Sequence, residues 1–255
     1  MSSFNQQSAC TMKPQAAPDI NKGPLDSIQP EFKLLTAEMK RYLDLDDIGI
    51  ALDVGSRDAI AALTMAKAFP NARVFAFECN LPAVELCRRN AAMEPRVTVV
   101  DRAVSDVDGD VTFYAIDPVR TGTPHPDGNI GASSLFVANP AYPYERYVQN
   151  PITVSSITLG AWAKENRVRE VDLMWLDLQG AELKALQGMG ELLSHVKFIH
   201  TEVEFKPIYL DQPLAKDIYD YLEKAGFVEC KIIAKEEWAG IVLFRRRDLK
   251  PLAAA

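Results

Sequence analysis

The stretch Ile50-Ala51-Leu52-Asp53-Val54-Gly55-Ser56-Arg57-Asp58 constrains the fold more than any other part of the chain. An apolar run of strand character ends in an acid and a glycine. A helical pattern follows, with Ile60, Leu63 and Ala66 on one side. Arg73-Val74-Phe75-Ala76-Phe77-Glu78 then gives a second strand that also ends in an acid. A strand, a tight glycine turn, a helix and a second strand tipped by a carboxylate describe a nucleoside pocket. The backbone turns beneath the ligand, and the second acid accepts both hydroxyls of a ribose.

The turn also says which nucleoside. A dinucleotide site needs G-x-G-x-x-G, because a pyrophosphate requires close backbone approach at the helix N-terminus. Only Gly55 is present, followed by Ser56, Arg57, Asp58 and Ala59. Asp58 near the start of the helix suits the helix dipole but repels a phosphate. The pattern therefore favours a ribose without a pyrophosphate. S-adenosylmethionine fits, with its adenine, ribose and zwitterionic amino-acid tail. The plainer alternative makes Asp53 a helix-initiating acid and Glu78 a solvated strand end.

A chain of 255 residues suits one large α/β domain, or a domain with a tail, and an apolar content of 48% is ample for a core. The net charge of −7 and the lack of a basic stripe argue against nucleic acid as a partner. Arg245-Arg246-Arg247 reads as a solvated strand end. No apolar run approaches the ~20 residues of a membrane-spanning helix, so no membrane partner is expected. The N-terminus lacks the basic start and apolar core of a secretory leader. Cys10, Cys79, Cys87 and Cys230 show neither a C-x-x-C nor a histidine at ligand spacing, which points to reduced thiols in a cytoplasmic protein.

Residues 1–30, rich in Ser, Gln, Ala and Pro, read as a loosely ordered arm, with a single domain over 31–250. Phe32, Leu35, Met39 and Leu43 predict a helix over Glu31–Leu43. Strands and helices then alternate. A helix over Leu81–Met93 has Pro82 in its first turn, and strands follow at Val97–Asp101 and, antiparallel, at Val111–Tyr114. Prolines break the pattern from Asp117 to Pro151, where Phe136, Tyr142, Tyr144 and Tyr147 crowd the second half. Residues 117–150 are expected to be an inserted lid or substrate loop. Order returns with a strand at Ile152–Val154 and a helix over Thr158–Arg167. Val171–Asp177, apolar at nearly every position, reads as a central strand covered on both faces. A helix over Gly180–Leu193, a strand over Val196–Glu204, a helix over Leu214–Ala225 closed by Gly226, and a hairpin of Val228–Ala234 with Ile241–Arg245 complete a doubly wound sheet.

In such a sheet the ligand lies outside the carboxyl ends of the strands. Asp53, Glu78, Asp101 and Asp177 each end a strand, and Glu202 and Glu204 lie near the end of another. Like charges gathered this way need a ligand or a proton to offset them. The motifs Leu52-Asp53-Val54-Gly55, Val74-Phe75-Ala76-Phe77-Glu78, Asp172 to Leu183 with Leu186 and Gly188, and His200-Thr201-Glu202-Val203 stand in this order over residues 48–234. Together they resemble the FkbM-type methyltransferases, and Gly131-Ala132-Ser133-Ser134-Leu135 matches a further piece these proteins carry.

The resemblance implies a Rossmann-like class I fold, a mostly parallel seven-stranded sheet whose last strand is antiparallel. It implies O-methylation, dependent on S-adenosylmethionine, of a hydroxylated small molecule, a natural product or sugar. Asp53, Gly55 and Ser56 would hold the amino-acid end of the cofactor and Glu78 its ribose, with Cys79 beside it. Asp101, Arg102 and Ala103 would lie against the adenine, and Asp177 beside the transferring methyl. Ser133, Ser134, Tyr142 and Glu204 are the expected acceptor contacts. Arg57 replaces the second glycine of the family's first turn, where it can pair with the cofactor carboxylate or obstruct the pocket. Gln179 replaces a usual acid, so no required metal is expected, although Asp177 with Glu202 could take Mg²⁺. Candidates for the base that takes the acceptor's proton are Asp177, Glu202, Glu204 and His200; His200 also reads as a core residue. His125 reaches the site only if its loop folds over it. The two departures leave a non-catalytic binding or scaffold protein of the same fold as the alternative. A homo-oligomer is compatible with the sequence, which names neither acceptor nor assembly.

Overall fold

A computed structural model describes residues 30–253. The arm expected over 1–30 falls, apart from Pro30, outside the described residues, as does Cys10. Apolar runs bounded by turns set the strands. β1 (Ile50–Val54), β2 (Arg73–Phe77) and β3 (Val97–Val100) come first, connected by α2 (Ile60–Ala68) and α3 (Leu81–Ala91), with α1 (Pro30–Met39) ahead of them. β4 (Ala103–Val104), β5 (Gly109–Ile116) and β6 (Gln149–Ile157) follow. Then come α4 (Leu159–Asn166), β7 (Val171–Leu176), α5 (Glu182–Gln187), β8 (Val196–Glu204), α6 (Ala215–Lys224), β9 (Phe227–Lys235) and β10 (Ala239–Arg246).

The main sheet has seven strands in the order β3-β2-β1-β7-β8-β10-β9. β1, β2, β3, β7 and β8 pair in parallel, and β10 runs antiparallel between β8 and β9. The expected seven-stranded architecture with an antiparallel last strand is therefore present. Consecutive side chains alternate between two cores, as strand geometry requires. Leu52, Val54, Met174, Leu176 and Ile199 face α4, α5 and α6, with Trp162 wedged edge-on between Phe75 and Phe77. Ala51, Val74, Leu173, Trp175 and Phe198 face α1 and α2. All six residues of β7 are buried, which its uninterrupted apolar run demands.

Three local readings differ. The strands at 111–114 and 152–154 are longer than expected and form a separate sheet, in the order β4-β6-β5, rather than extending the main one. Pro151 lies inside β6, opposite Tyr114; β4 pairs β6 only at Ser156 and Ile157, so the flank that a proline cannot serve is unpaired there. The helix expected over Gly180–Leu193 is split into α5 and a 3-10 segment, Gly190–His195. Gly188 packs so closely that an added Cβ would lie 2.1 Å from the Ser105 carbonyl oxygen, and Gly190 has φ +55°. The first helix stops at Met39, short of Leu43. No helix of the described residues is long and apolar enough to cross a membrane.

Candidate active site

Parallel pairing places the carboxyl ends of β1, β2, β7 and β8 on one edge of the sheet, and a single turn draws them together. Gly55 has φ +89°, and an added Cβ would lie 1.8 Å from the carbonyl oxygen of Asp177. Only glycine permits that approach. The amides of Gly55 and Ser56 both donate to the Phe77 carbonyl, at 3.1 and 2.9 Å, which ties the turn to the end of β2. Asp53 lies beneath the turn, buried, where its Oδ2 accepts from Ser56 Oγ at 2.6 Å and from the Ala62 amide at 3.1 Å. Burial pushes its carboxyl up to about 7 despite these bonds. Asp58 accepts from the Ile60 amide at 3.0 Å. These two acids therefore serve the start of α2, in the way acids satisfy the free amides of a helix N-terminus.

Above the turn is a cavity of about 340 Å³. Its walls include Gly55, Arg57, Glu78, Cys79, Arg102, Ala103, Ser133, Asp177 and Glu202. Glu78 is fixed by three backbone donors. Arg57 N reaches its Oε2 at 2.9 Å, and Cys79 N and Asn80 N reach its Oε1 at 2.8 Å each. Burial raises its carboxyl, and those donors oppose the rise. Phe77, Ala83, Ala103, Val104 and Phe113 supply an apolar wall beside it. Burial pushes the Cys79 thiol up, so it lines the cavity as a neutral group. Arg57 leaves the turn with φ +55°, and its guanidinium pairs with Asp127 of the insert at 2.5 Å.

The far end of the cavity is acidic. Asp177, Glu202, Glu204 and Glu182 stand close enough that each carboxyl of the group is raised, mainly by burial. Glu182 is pushed up to about 7, and its Oε1 accepts from the Leu178 amide at 2.7 Å. Gln179 joins the group to the insert. Its Nε2 donates to Asp177 Oδ1 at 2.6 Å and lies 3.3 Å from Glu202 Oε2. The buried Tyr209 hydroxyl lies 3.0 Å from Gln179 Oε1 and 2.7 Å from the Ala132 carbonyl. Ser134 Oγ donates to the Gln179 carbonyl at 2.7 Å. Gln179 holds this position with φ +53°, which a non-glycine residue adopts only when its surroundings impose it.

Several expected site residues stand elsewhere. Asp53 and Ser56 are spent on each other beneath the floor. Asp101 is exposed and pairs with Arg88 at 2.7 Å, leaving Arg102 and Ala103 to face the cavity. Ser134 is used on Gln179, and Glu204 is buried without lining the cavity. Tyr142 lines a second cavity. His200 is buried and stacked on Trp175, 3.7 Å between ring centres, with no hydrogen bond to either nitrogen. Burial alone lowers its pKa to about 3, and it does not reach the cavity. His125 does, because the insert folds over the site and carries Asn129 with it. Tyr209, Glu182 and Asn80 were not anticipated. Tyr209 sits in an irregular loop after β8, where no periodicity marks it. Among the described residues no group of three or more His, Cys, Asp or Glu is arranged to hold a metal.

The donor set fits S-adenosylmethionine. Glu78 presents a fixed carboxylate to a ribose, the apolar wall suits an adenine, Arg57 suits a carboxylate, and the acids suit a cationic amino group. Comparison with known proteins agrees in kind. The model of the methyltransferase FkbM domain matches residues 51–229. The 2-O-methyltransferase NoeI of Sinorhizobium fredii (strain NBRC 101917 / NGR234) is 29% identical over 175 residues, covering 68% of this chain and 70% of NoeI. Among solved structures, the Methanococcus jannaschii fibrillarin pre-rRNA processing protein superposes with a TM-score of 0.50 at 12% identity, over 86% of this chain and 76% of its own. At that identity the likeness is one of fold.

Proposed function

The chain belongs to the methyltransferase FkbM family and uses S-adenosylmethionine as its cofactor, and from that premise we propose that it methylates a hydroxyl oxygen of a small acceptor, a sugar or related natural product. One observation carries this reading: Glu78, Asp177 and Glu202 converge from three strand ends on one cavity, around the Gly55 turn.

The cofactor supplies an electrophilic methyl group on a sulfonium. The protein's own residues do the rest. Glu78, immobilised by three amides, accepts the ribose hydroxyls. Arg57, steadied by Asp127, binds the carboxylate of the amino-acid tail. An alcohol is a weak nucleophile until its proton has somewhere to go, and a positioned base contributes about 10²–10⁴-fold. Asp177 is the group for that task. The Gln179 hydrogen bond and the Arg57 charge both favour its ionised form. Glu202 is pushed well up, by burial and by Asp177 itself, which favours its protonated form. Two neighbouring carboxyls whose environments separate their protonation states divide the roles of base and neutral neighbour. The insert over 117–150 closes the acceptor side and, with the acidic cavity, disfavours nucleic acid. The free thiols of Cys79, Cys87 and Cys230 are compatible with a cytoplasmic setting.

Thermal denaturation with added cofactor tests the first half of this reading. A cofactor at 100 times its Kd stabilises by about 2.7 kcal/mol. Mass spectrometry of hydroxylated acceptors tests the second, with a methyl ether as the expected product. No stabilisation by cofactor, or methyl transfer to nitrogen alone, would overturn it.

A further inference from the structure

The insert, with Tyr114 of β5 and Pro151 of β6, lines a second, open-mouthed cavity of about 600 Å³ that no step described so far uses. It is lined by Tyr114, Tyr142 and Tyr147, with Glu145, Arg146 and Gln149 among its polar groups. Side chains that line the two cavities touch each other. Glu145, in the second, accepts from Asn129 Nδ2 at 2.8 Å and faces His125 Nε2 at 3.6 Å, both in the first. Tyr147 stacks on Tyr209 at 6.1 Å and 17°, and Tyr209 bonds Gln179 of the first cavity. The Tyr142 and Tyr147 hydroxyls both lie within electrostatic reach of the Glu202 carboxyl.

We infer that this tyrosine hollow is an acceptor subsite and that the acceptor is a glycoside with at least two ring units. The inference rests on the reading of the chain as an O-methyltransferase. The first cavity, of about 340 Å³, is at the small end of the ~300–1,000 Å³ range of ligand pockets, and a bound cofactor would leave little of it for an acceptor. The hydroxyl-bearing unit reaches Asp177, and the remainder of the acceptor needs a second space that opens beside it. The chemistry of that space suits a sugar ring. Aromatic faces pack on the C–H face of a pyranose, while hydroxyls at its rim need polar partners. The Tyr142 hydroxyl and the Arg146 guanidinium have no hydrogen-bond or ion-pair partner among the described residues. The Arg146 backbone is held by reciprocal bonds to Gly122, 2.9 Å each, so its side chain is presented from a fixed base. Binding energy from a remote unit is what lets an enzyme position the reacting one.

The protein carries its own reporter. Trp238 stands 5.4 Å from Tyr142 and 6.1 Å from Tyr144, whereas Trp162 and Trp175, the other two tryptophans, are buried in the sheet cores. The experiment titrates the full chain, saturated with S-adenosylhomocysteine, with mono-, di- and trisaccharides of the cello, malto and chito series. Tryptophan fluorescence reads binding, and mass spectrometry reads methyl transfer in parallel runs with S-adenosylmethionine. Expected is a disaccharide in at least one series that binds roughly tenfold tighter than its monosaccharide, with a fluorescence change. Tyr142→Ala and Arg146→Ala should abolish that advantage, and Tyr142→Phe, which keeps the ring, should retain most of it. All three variants should leave monosaccharide affinity unchanged. Methyl transfer with no dependence on length, or a length dependence unmoved by these variants, would overturn the subsite and leave the O-methyltransferase reading standing. Failure of every saccharide to bind or react would overturn the glycoside assignment, while methylation of some other hydroxyl compound would still uphold the broader reading.

Discussion

Replacing Glu182 by glutamine should make the protein more stable above neutral pH, and the gain should vanish in acid. Glu182 is 1% exposed, and burial among neighbouring acids raises its carboxyl from 4.5 to about 7. The folded chain therefore holds this proton more tightly than the unfolded chain. The associated stability is fully present below about pH 4.5 and is lost as pH rises through about 7. At about 1.36 kcal/mol per pH unit, the loss amounts to roughly 3 kcal/mol at pH 8. Glutamine is isosteric, and its carbonyl oxygen can accept the same bond from the Leu178 amide without ever carrying a charge. Urea unfolding at half-unit steps from pH 4.5 to 8 measures the difference. The variant should match the parent at the acid end and exceed it by about 3 kcal/mol at the other, equivalent to roughly 6–12 °C in Tm for a domain of this size. The window stops at 4.5, the ordinary value of the glutamate carboxyl, because below it folded and unfolded chains both hold the Glu182 proton. Parallel pH profiles for parent and variant would refute the claim that these carboxyls are buried together at a shared cost.

Glu78→Ala should raise the Kd for S-adenosylhomocysteine roughly 30- to 140-fold by calorimetry, the equivalent of about 2–3 kcal/mol for bonds to a charged acceptor; an unchanged Kd would remove the ribose assignment. Gly55→Ala should destabilise the fold by about 3 kcal/mol or more, because its methyl would strike the Asp177 carbonyl at a backbone angle L-residues avoid; a normal melting temperature would contradict the close approach. Asp127→Ala should weaken binding of S-adenosylhomocysteine but not of 5′-methylthioadenosine, which lacks the amino-acid tail, if Arg57 acts on the carboxylate; equal losses for both would assign the Arg57–Asp127 pair a structural role only. His200→Phe should leave the pH dependence of methyl transfer unchanged, since the imidazole is enclosed against Trp175 away from the cavity.

The main sheet was legible because its strands are short apolar runs separated by clear helical periods. Val171–Leu176 is the sharpest case, since six buried positions in a row leave only a central strand. The convergence of Glu78 and Asp177 was legible for the same reason, as strand ends in a parallel sheet share an edge. What spacing could not give was direction. Asp53 stands near the end of β1 as Glu78 follows β2, yet Asp53 turns inward to Ser56 and the Ala62 amide while Glu78 faces the cavity. The separate β4-β6-β5 sheet escaped because Pro151 mimics a strand boundary while sitting at an unpaired flank. Tyr209 escaped because its role depends on a loop meeting an insert more than seventy residues earlier, a contact with Ala132 that leaves no local trace. Gln179 was visible as a departure from the family pattern; only its three-way bonding to Asp177, Glu202 and Tyr209 shows what an amide does there.

A crystal structure of the S-adenosylhomocysteine complex bears most directly on all of this. The account predicts density in the cavity above Gly55, with both ribose hydroxyls within hydrogen-bond distance of Glu78 and the sulfur directed toward Asp177. Adenosyl density outside that cavity, or a ribose held by other residues with Glu78 turned away, would contradict it.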